Sequence, residues 1–518
     1  MVKRRGIFLI LLFFILPLSA CNYPGLARGG TQIPVSDLRQ TLEALISPTA
    51  PVPPVGTDEI SPPFSTPGTP TQNPAPPATA RITQSPGGIA YTTNPGDTLA
   101  ALALRFDVEA GQIPLPPGIS AGGLLPAGTV LDIPLALDNT FSSDLILPDA
   151  EVVYSPTTVD FDIVEYVRSA GGYLATYSEE RDDETLSGAE IIERIAGQSS
   201  INPRLLLAFL EYRSGWVLGQ PSDPEKIRYP IGFYVPGHSG LYEELSMAAT
   251  QINLGYYGWR QGSRVTIKFA NGQTARLHPA LNPGSAAVEN LFSKFYNPDN
   301  LLPTLFDPDG FLVLYNKMFG DPWVSAGKFG PLIPEGLVQP DLELPFVPGE
   351  RWSLTAGPHP AWDSGTPRAA LDLSPTTGGA ACAVSTAWAT ASAPGLVVRS
   401  DHHTVALDLD GDGFEQTGWV LVYFHIADEG RINAGSIVEQ DDPLGHPSCE
   451  GGKATGKHVH ISRKYNGEWL AADGPLPFVL SGWKAIADLR NYQGSLVKGD
   501  QIVSSNPGGI RTSIIERQ

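Results

Sequence analysis

Histidines and an aspartate in the last third of the chain have the types and spacing of a metal site. Seven of the nine histidines lie between His359 and His460. In His458-Val459-His460, polar and branched apolar residues alternate, which predicts a β-strand with both imidazoles on one face. A histidine, an aspartate such as Asp372 and a further histidine, drawn from different strands, could supply three ligands to zinc and leave its fourth position open.

The order of these residues resembles the lysostaphin-type zinc endopeptidases, most closely the β-lytic, or staphylolysin, branch that cuts peptidoglycan cross-bridges. That branch has a ligand histidine, a ligand aspartate thirteen positions later, a catalytic histidine after aromatic residues and a closing His-x-His. This chain has the same features in the same order at His359, Asp372, Tyr423-Phe424-His425 and His458-Val459-His460. The resemblance covers residues 341–487.

The resemblance implies that this segment is a zinc metallopeptidase domain with an all-β, antiparallel sheet fold. His359, Asp372 and His460 are implied as ligands of Zn²⁺, which activates water as a Lewis acid. His458 is implied as the general base, and His425 as a group that stabilises the tetrahedral oxyanion. The residues themselves predict strands around a groove at 370–373, 380–387, 395–399, 404–409, 419–425 and 457–462.

The first 21 residues have the pattern of an export signal. Lys3-Arg4-Arg5 is positive, residues 7–16 are apolar, and Leu18-Ser19-Ala20-Cys21 resembles a bacterial lipobox. The lipobox implies a lipid on Cys21 that anchors the exported protein to the membrane in the bacterial cell envelope. An ordinary secretory signal with an incidental cysteine is the alternative. Residues 22–81 are rich in proline and predict an extended linker.

The cysteine count is compatible with one disulfide. If Cys21 carries lipid, Cys382 and Cys449 remain of the three cysteines, and both lie in the peptidase-like segment. A pair of cysteines outside the reducing cytoplasm is expected to be bonded. The β-lytic branch has a bonded cysteine at the position of Cys449, whereas Cys382 lies earlier than the usual partner.

The length of the chain indicates the number of domains, and its net charge excludes some classes of partner. A chain of 518 residues is too long for one core, so about three domains are expected. The formal net charge of −20 repels nucleic acid and anionic lipid headgroups. Peptidoglycan, with its peptide cross-links and GlcNAc-containing glycan, is the partner that the resemblance implies, beside the membrane that the lipid would reach.

Residues 82–136 resemble a LysM module, a small α+β unit that binds glycans. Tyr91 to Thr98 predicts a strand, a turn and a helix cap, and residues 125–134 predict a second strand. Residues 113–118, with three prolines, depart from the family pattern at the second helix. A spacer domain without sugar binding is the alternative.

Residues 155–335 predict a mainly helical domain similar to the lytic transglycosylases of the lysozyme superfamily. Apolar spacing predicts helices at 161–167, 189–195 and 205–212, and Asn271-Gly272 predicts a hairpin turn. Arg213 stands where that family has its general-acid glutamate, and arginine cannot donate the proton that glycoside cleavage needs. Glu211, two helical residues earlier, would point to the opposite face. The domain is therefore expected to be non-catalytic.

Three remaining features carry expectations. Asp408, Asp410 and Asp412 have the spacing of a calcium loop, but Trp419 replaces its closing glutamate, so an acidic hairpin turn is expected. Histidines 402, 403 and 446 have no counterpart in the β-lytic branch and are expected at the surface or rim. Residues 488–518 are expected to form an appended C-terminal tail.

Together these features predict a multidomain cell-envelope lipoprotein whose C-terminal domain hydrolyses peptide bonds of peptidoglycan with the help of zinc. A non-catalytic peptidoglycan-binding or regulatory lipoprotein is one alternative. A glycosidase acting through the middle domain is another.

Overall fold

The computed structural model describes residues 82–85, 88–134, 139–181, 184–376 and 378–518. The predicted signal peptide, the lipobox cysteine Cys21 and the proline-rich linker lie outside these ranges. Within them, every helix is too short or too polar to cross a bilayer.

The N-terminal module is a three-stranded antiparallel sheet with one helix. Its elements are β1 Ile82–Ser85, β2 Gly88–Thr92, α1 Leu99–Phe106 and β3 Val130–Ile133, and the strand order is β1-β2-β3. The Thr98 hydroxyl caps α1 by accepting from the Ala101 N–H at 3.2 Å. The predicted second helix is reduced to one 3₁₀ turn, Ala110–Gln112, because the prolines that follow provide no backbone donors.

The middle of the chain is helical, as its apolar spacing predicts. Its described residues contain two short hairpins, β4 Ser178–Arg181 with β5 Glu184–Ser187 and β6 Thr266–Lys268 with β7 Thr274–Arg276. The described helices are α2 Ile163–Ala170, α3 Gly188–Ser199, α4 Pro203–Ser214, α5 Pro224–Arg228, α6 Leu241–Arg260, α7 Pro283–Phe292, α8 Pro298–Phe306, α9 Phe311–Phe319 and α10 Pro322–Gly327.

Local sequence signals set the ends of these helices. Asp162 caps α2 through the Glu165 N–H at 2.8 Å, so this helix starts two residues later than predicted. Ser187 and Glu190 form a reciprocal capping box at the start of α3. Helix α4 begins with proline after the Asn202 cap and ends where Gly215 adopts φ +69°.

The C-terminal unit is built from antiparallel strands. They are β8 Arg351–His359, β9 Ala370–Pro375, β10 Ala389–Thr390, β11 Gly395–Asp401, β12 Thr404–Asp408, β13 Trp419–Phe424, β14 Ile437–Val438, β15 Pro443–Gly445, β16 Val459–Tyr465, β17 Glu468–Trp469, β18 Val479–Leu480, β19 Trp483–Ala487, β20 Gly494–Lys498, β21 Gln501–Ser504 and β22 Ile514–Glu516. The main sheet has the order β14-β11-β12-β13-β16-β9-β8-β22, with β17 also paired to β16. A four-stranded sheet, β18-β19-β20-β21, and the pair β10-β15 complete the unit.

Two expectations about this unit are wrong. The predicted strand at 380–387 does not form: the run consists of turns, and its residues 380–384 are exposed, because small side chains there offer little apolar surface to bury. The predicted C-terminal tail, 488–518, is not an appendage. Its strands β20 and β21 extend the four-stranded sheet, and β22 pairs with β8 while burying Ile515 in the core.

Both faces of the main sheet are covered. On β13, Leu421 and Tyr423 belong to the core of the C-terminal unit, while Val420 and Val422 pack into the core of the helical unit. This follows from the two-residue period of a strand. The helical unit therefore rests directly on one face of the sheet that carries the histidine motifs.

Candidate metal centre and active site

The register of two central strands brings Asp372 and His460 together. Asp372 of β9 lies directly opposite His460 of β16, and directly paired residues of an antiparallel sheet present their side chains on the same face. The residues that flank them in sequence point to the other face and belong to the core of the C-terminal unit: Leu371, Leu373, Val459 and Ile461.

A bulge in β8 delivers the third side chain. Ala356 pairs with Asp372 and His359 pairs with Ala370, so β8 contains one residue more than β9 between these two pairs. The extra residue places His359 on the same face as Asp372. Without the bulge, Pro358 would occupy that register position.

The three side chains form a closed triangle of ligand atoms. Asp372 Oδ1 lies 3.2 Å from His359 Nε2 and 3.2 Å from His460 Nδ1, and the two imidazole nitrogens are 3.0 Å apart. Ligands about 2.0–2.1 Å from a tetrahedral zinc are separated by about 3.3 Å, close to these edges. The side chains are buried, with only 3%, 9% and 8% of His359, Asp372 and His460 exposed.

Hydrogen bonds around the triangle orient its donor atoms inward. His359 Nδ1 donates to the Gly357 carbonyl at 2.8 Å, and His460 Nε2 donates to the Ala361 carbonyl at 2.9 Å. Each ring therefore turns a lone pair toward Asp372. Asp372 Oδ1 is buried and has no hydrogen-bond donor among the described residues. Two imidazole lone pairs beside an unsatisfied carboxylate oxygen make three electron-pair donors, which fit a divalent metal ion.

The electrostatics of Asp372 agree with this interpretation. Burial alone would raise the pKa of the carboxyl group, but the neighbouring His359 and His458 outweigh burial and hold the pKa well below its ordinary value. Asp372 is therefore anionic at neutral pH, which suits it to a cation.

His458 and His425 lie beside the triangle rather than in it. His458 Nε2 is 3.6 Å from Asp372 Oδ2, and the rings of His458 and His425 have their centroids 4.5 Å apart. His458 Nδ1 donates to the Gly456 carbonyl at 2.7 Å, and His425 Nδ1 donates to the Glu450 carbonyl at 2.7 Å. Both rings therefore present Nε2 as a proton acceptor.

His425 is held in an unusual position. It follows β13 directly with φ +63°, which ends the strand one residue earlier than predicted. Burial, with a further contribution from His458, lowers the pKa of His425 to about 3. The ring is neutral around pH 7.

Sequence reasoning missed several groups that support this site. The Tyr492 ring, from the segment expected to be an appendage, stacks on His359 with centroids 4.6 Å apart. The Ala361 carbonyl that orients His460 belongs to a loop whose Asp363 accepts from Thr250 of α6 at 3.2 Å. These contacts join segments far apart in sequence and have no motif of their own.

A rim histidine also has a defined partner. His403 Nδ1 lies 3.1 Å from Glu450 Oε2, and the same carboxylate accepts from the Asp428 N–H at 2.9 Å. Since the Glu450 carbonyl accepts from His425, these contacts hold the segment that orients His425. His402 lies in the same turn, and His446 packs against Trp388 at the surface.

The same segment contains the disulfide. Cys382 and Cys449 are bonded, with their Cα atoms 5.2 Å apart and a sequence separation of 67. The bond ties the exposed turns after β9 to the chain immediately before Glu450. In the entropy model, closing a loop of this length constrains the unfolded chain by about 4 kcal/mol.

The acidic motif forms the turn between β12 and β13. The Asp408 carboxylate accepts from the backbone N–H groups of Asp410, Gly411 and Gly413 at 2.9–3.2 Å. Burial raises the pKa of Asp408 to about 7, with Asp410 as a further cause. Its oxygens are used to close the turn.

Around the predicted glycosidase position, the carboxylate of Glu211 is already engaged. Glu211 Oε2 accepts from the backbone N–H groups of Val217 and Leu218, at 2.8 Å each. Arg213 instead contacts Ile231 and Tyr296. The two side chains diverge, as the helical geometry predicts.

A three-residue His-Asp-His cluster on an antiparallel sheet, flanked by two further histidines, defines the class of metal-dependent hydrolases. Comparisons with known proteins agree. The family described as LasA, N-terminal domain matches residues 145–332, which is the helical unit. Protease LasA of Pseudomonas aeruginosa is 26% identical over 309 residues, covering 55% of this chain and 68% of that protein.

The similarity extends to the β-lytic enzymes. The β-lytic metalloendopeptidase of Achromobacter lyticus is 30% identical over 186 residues, 32% of this chain and 46% of that protein. Among solved structures, the M23 metalloprotease pseudoalterin from deep-sea matches with 20% identity, covering 32% of this chain and 96% of that chain, with a TM-score of 0.27. The catalytic domain of lysostaphin from Staphylococcus simulans matches with 16% identity, 24% and 89% coverage and a TM-score of 0.18.

The chain is therefore similar to the LasA-like and β-lytic metallopeptidases, and it is an enzyme of the metalloendopeptidase type. The similarity to lytic transglycosylases and to LysM modules stays a prediction.

Proposed function

We propose that this protein is a zinc-dependent endopeptidase that hydrolyses peptide bonds in the cross-links of peptidoglycan. One observation carries the proposal: the buried triangle of His359 Nε2, Asp372 Oδ1 and His460 Nδ1, with its unsatisfied carboxylate oxygen, beside two proton-accepting histidines. The names of the relatives, Protease LasA and β-lytic metalloendopeptidase, support the same class of reaction.

In the proposed mechanism, His359, Asp372 and His460 hold Zn²⁺. The ion supplies Lewis-acid chemistry, which makes water acidic near neutral pH and polarises a carbonyl group. The Gly357 and Ala361 carbonyls keep both ligand imidazoles in the required tautomer. The buried setting strengthens each electrostatic contact in the site.

His458 is proposed as the general base. Its Nδ1–H is committed to the Gly456 carbonyl, so Nε2 is free to take a proton from the attacking water and later to deliver it to the leaving amine. His425 presents the same acceptor atom. It can donate to the tetrahedral oxyanion only after taking up a proton at Nε2, which makes its role dependent on proton transfer within the pair.

The other parts of the chain are proposed to position this enzyme at its substrate. A lipid on Cys21 would anchor it to the membrane of the cell envelope, and residues 22–81 would extend it toward the wall. Two hydrogen bonds join the N-terminal module to the helical unit. Arg260 of α6 donates to the Pro95 carbonyl at 3.0 Å, and Arg105 of α1 donates to the Trp259 carbonyl at 3.1 Å. We assign this module and the helical unit to wall binding without glycan cleavage.

Digestion of purified peptidoglycan by the full-length protein, followed by mass spectrometry of the fragments, tests the proposal. Peptide cleavage creates new amines, whereas glycan cleavage creates new reducing or anhydro sugar ends. We expect new amines only, in amounts that follow zinc occupancy. The glycosidase alternative would gain support from new sugar ends. A zinc-loaded protein that produces neither would favour the non-catalytic alternative.

A further inference from the structure

A cavity in the helical unit lies outside the proposed peptidase site. It has a volume of about 420 Å³ and opens between the end of α4, the segment 229–234 and the chain after α7. This volume is in the range of small-molecule sites. Its chemically distinctive lining consists of four tyrosines and two cations: Tyr212, Tyr229, Tyr234, Tyr296, Arg213 and Lys226.

The Arg213 guanidinium is fixed in the cavity wall. Its Nε donates to the Ile231 carbonyl at 2.8 Å and its Nη1 donates to the Tyr296 hydroxyl at 3.1 Å. The group also lies over the Phe295 ring, 4.1 Å from the centroid. A side chain at Gly232 would place its Cβ 3.0 Å from Nη2, so this glycine keeps the outer edge of the guanidinium accessible.

The nearby carboxylates do not neutralise this arginine. Glu211 is bound to the backbone N–H groups of Val217 and Leu218. Glu244, buried behind the wall, accepts from the N–H groups of residues 231, 232 and 233 at 2.6–3.1 Å. Among the described residues, Arg213 forms no ion pair with a carboxylate. A cationic, pre-positioned cavity therefore exists in a protein of net charge −20.

We infer that this cavity binds a carboxylate group attached to a sugar or peptide of the peptidoglycan polymer. A guanidinium held on two sides offers its remaining donors to a carboxylate at little entropic cost. The tyrosine faces beside it suit the apolar face of a pyranose ring or a peptide side chain, and Tyr234 is 55% exposed. The choice of polymer rests on the proposed function. The lactyl group of N-acetylmuramic acid and the free end of a stem peptide are two sources of the same carboxylate chemistry.

Calorimetric titration of the full-length protein tests the inference, with peptidase activity measured separately. The probes are N-acetylmuramic acid, its methyl ester, the peptide acetyl-Lys-D-Ala-D-Ala and its C-terminal amide. We expect one or both acids to bind at least tenfold more tightly than the matching neutral compound. The acid that binds identifies the source of the carboxylate.

The variants are Arg213→Leu and Arg213→Lys, with Arg168→Leu as the matched control because Arg168 is an exposed arginine of α2 paired with Glu165. Loss of the guanidinium should weaken binding of the acid about 10- to 100-fold, and lysine should restore only part of it. Tyr234→Ala, at an exposed ring, should weaken binding several-fold and covers the case in which Arg213→Leu does not fold.

Equal binding of acids and neutral compounds, no binding of either acid, or unchanged binding by the folded Arg213 and Tyr234 variants would overturn the inference. Binding without peptide cleavage would contradict the proposed function alone. Peptide cleavage without carboxylate binding would contradict this inference alone.

Discussion

Two clusters of buried charge lie on the same face of β16, four residues apart. Around Lys464, every charge meets its complement: Lys464 Nζ lies 2.5 Å from Glu415 Oε1, and Arg399 grips the same carboxylate through two bonds of 2.8 and 2.9 Å. Around His460, lone pairs converge on one point, and the Asp372 oxygen there lacks a donor. The first cluster is complete with protein groups alone, whereas the second has the donors for the cation of the proposed function.

The comparison separates two reasons for burying charge. The Lys464 cluster, together with the Arg260–Glu468 pair of 2.8 Å, lies where the helical unit meets the sheet. Buried ion pairs of this kind give little net stability over apolar residues, but losing one partner is costly. They favour one arrangement of the two units. Under the proposed function, the histidine cluster would gain its stability from the bound ion.

The largest expected effect comes from substitutions in the histidine cluster. Alanine at His359, Asp372 or His460 should abolish turnover and zinc binding together, because each supplies one of three ligands. Alanine at His458 or His425 should leave about one zinc per chain and lower turnover by about 10²- to 10⁴-fold, the range of acid–base and oxyanion groups. Metal analysis beside peptide-bond turnover for all five variants measures the split.

The ligand assignment fails if His458→Ala loses zinc as fully as His460→Ala. Removing zinc from the unaltered protein with a chelator gives the control. It should lower thermal stability reversibly, because the ion joins β8, β9 and β16, and zinc added back should restore both stability and turnover.

A substitution in the Lys464 cluster should lower stability without changing the zinc content. Glu415→Gln leaves Arg399 and Lys464 buried without their anion, which should cost about 3–5 kcal/mol of unfolding free energy. The zinc content of the folded variant should stay at one per chain. Urea denaturation and metal analysis check both parts, with Asp428→Asn, at an exposed salt bridge with Arg431, as the control expected to lose less than 1 kcal/mol. Loss of zinc in folded Glu415→Gln would show that the clusters are not independent.

Glu415 should also make the free energy of unfolding depend on pH in the acid range. Burial alone would raise its pKa, but Arg399 and Lys464 outweigh burial and lower the pKa to about 2 from an ordinary 4.5. A depressed folded pKa adds stability above the unfolded pKa and loses it as the pH falls toward 2. The contribution is about 3 kcal/mol, by order of magnitude.

The measurement is the difference in unfolding free energy between the unaltered protein and Glu415→Gln, both free of zinc, from pH 5 to pH 2. Asp372 is unchanged in both proteins, so its contribution cancels. The gap between the two proteins should narrow as the pH falls. A constant gap would mean that Glu415 does not titrate in this window.

Features of the site that depend on local motifs could be predicted from the sequence, whereas features that depend on long-range contacts could not. The thirteen-residue spacing from His359 to Asp372 and the His-x-His pair predict which residues form the His-Asp-His cluster, because strand period and family pattern act over short distances. The bulge in β8 that completes the triangle has no local signal, since the run around Pro358 is compatible with several registers. Ion pairs such as Arg260–Glu468, 208 positions apart, depend on the packing of two units.

The C-terminal segment is the clearest example of that limit. Its glycines, serines and single apolar residues are typical of a mobile end, yet Ile515 and Arg517 are buried against the main sheet and Tyr492 stacks on His359. A strand added at a sheet edge is stabilised by side-chain contacts with the neighbouring strand, and for β22 that neighbour, β8, is far away in the sequence.

The smallest expected effect concerns Tyr492. Its ring stacks on His359 at 23° between the planes, while 57% of the residue remains exposed. The contact limits rotation of one ligand imidazole, and an aromatic pair of this kind is worth about 0.5–1.5 kcal/mol. Tyr492→Ala should therefore weaken zinc binding by about 2- to 10-fold, measured by competition with a chelator, and Tyr492→Phe should leave it unchanged because the ring is kept. A loss of turnover in Tyr492→Phe at full zinc occupancy would instead assign the hydroxyl to the reaction, and equal zinc affinity in all three proteins would mean that Gly357 alone orients His359.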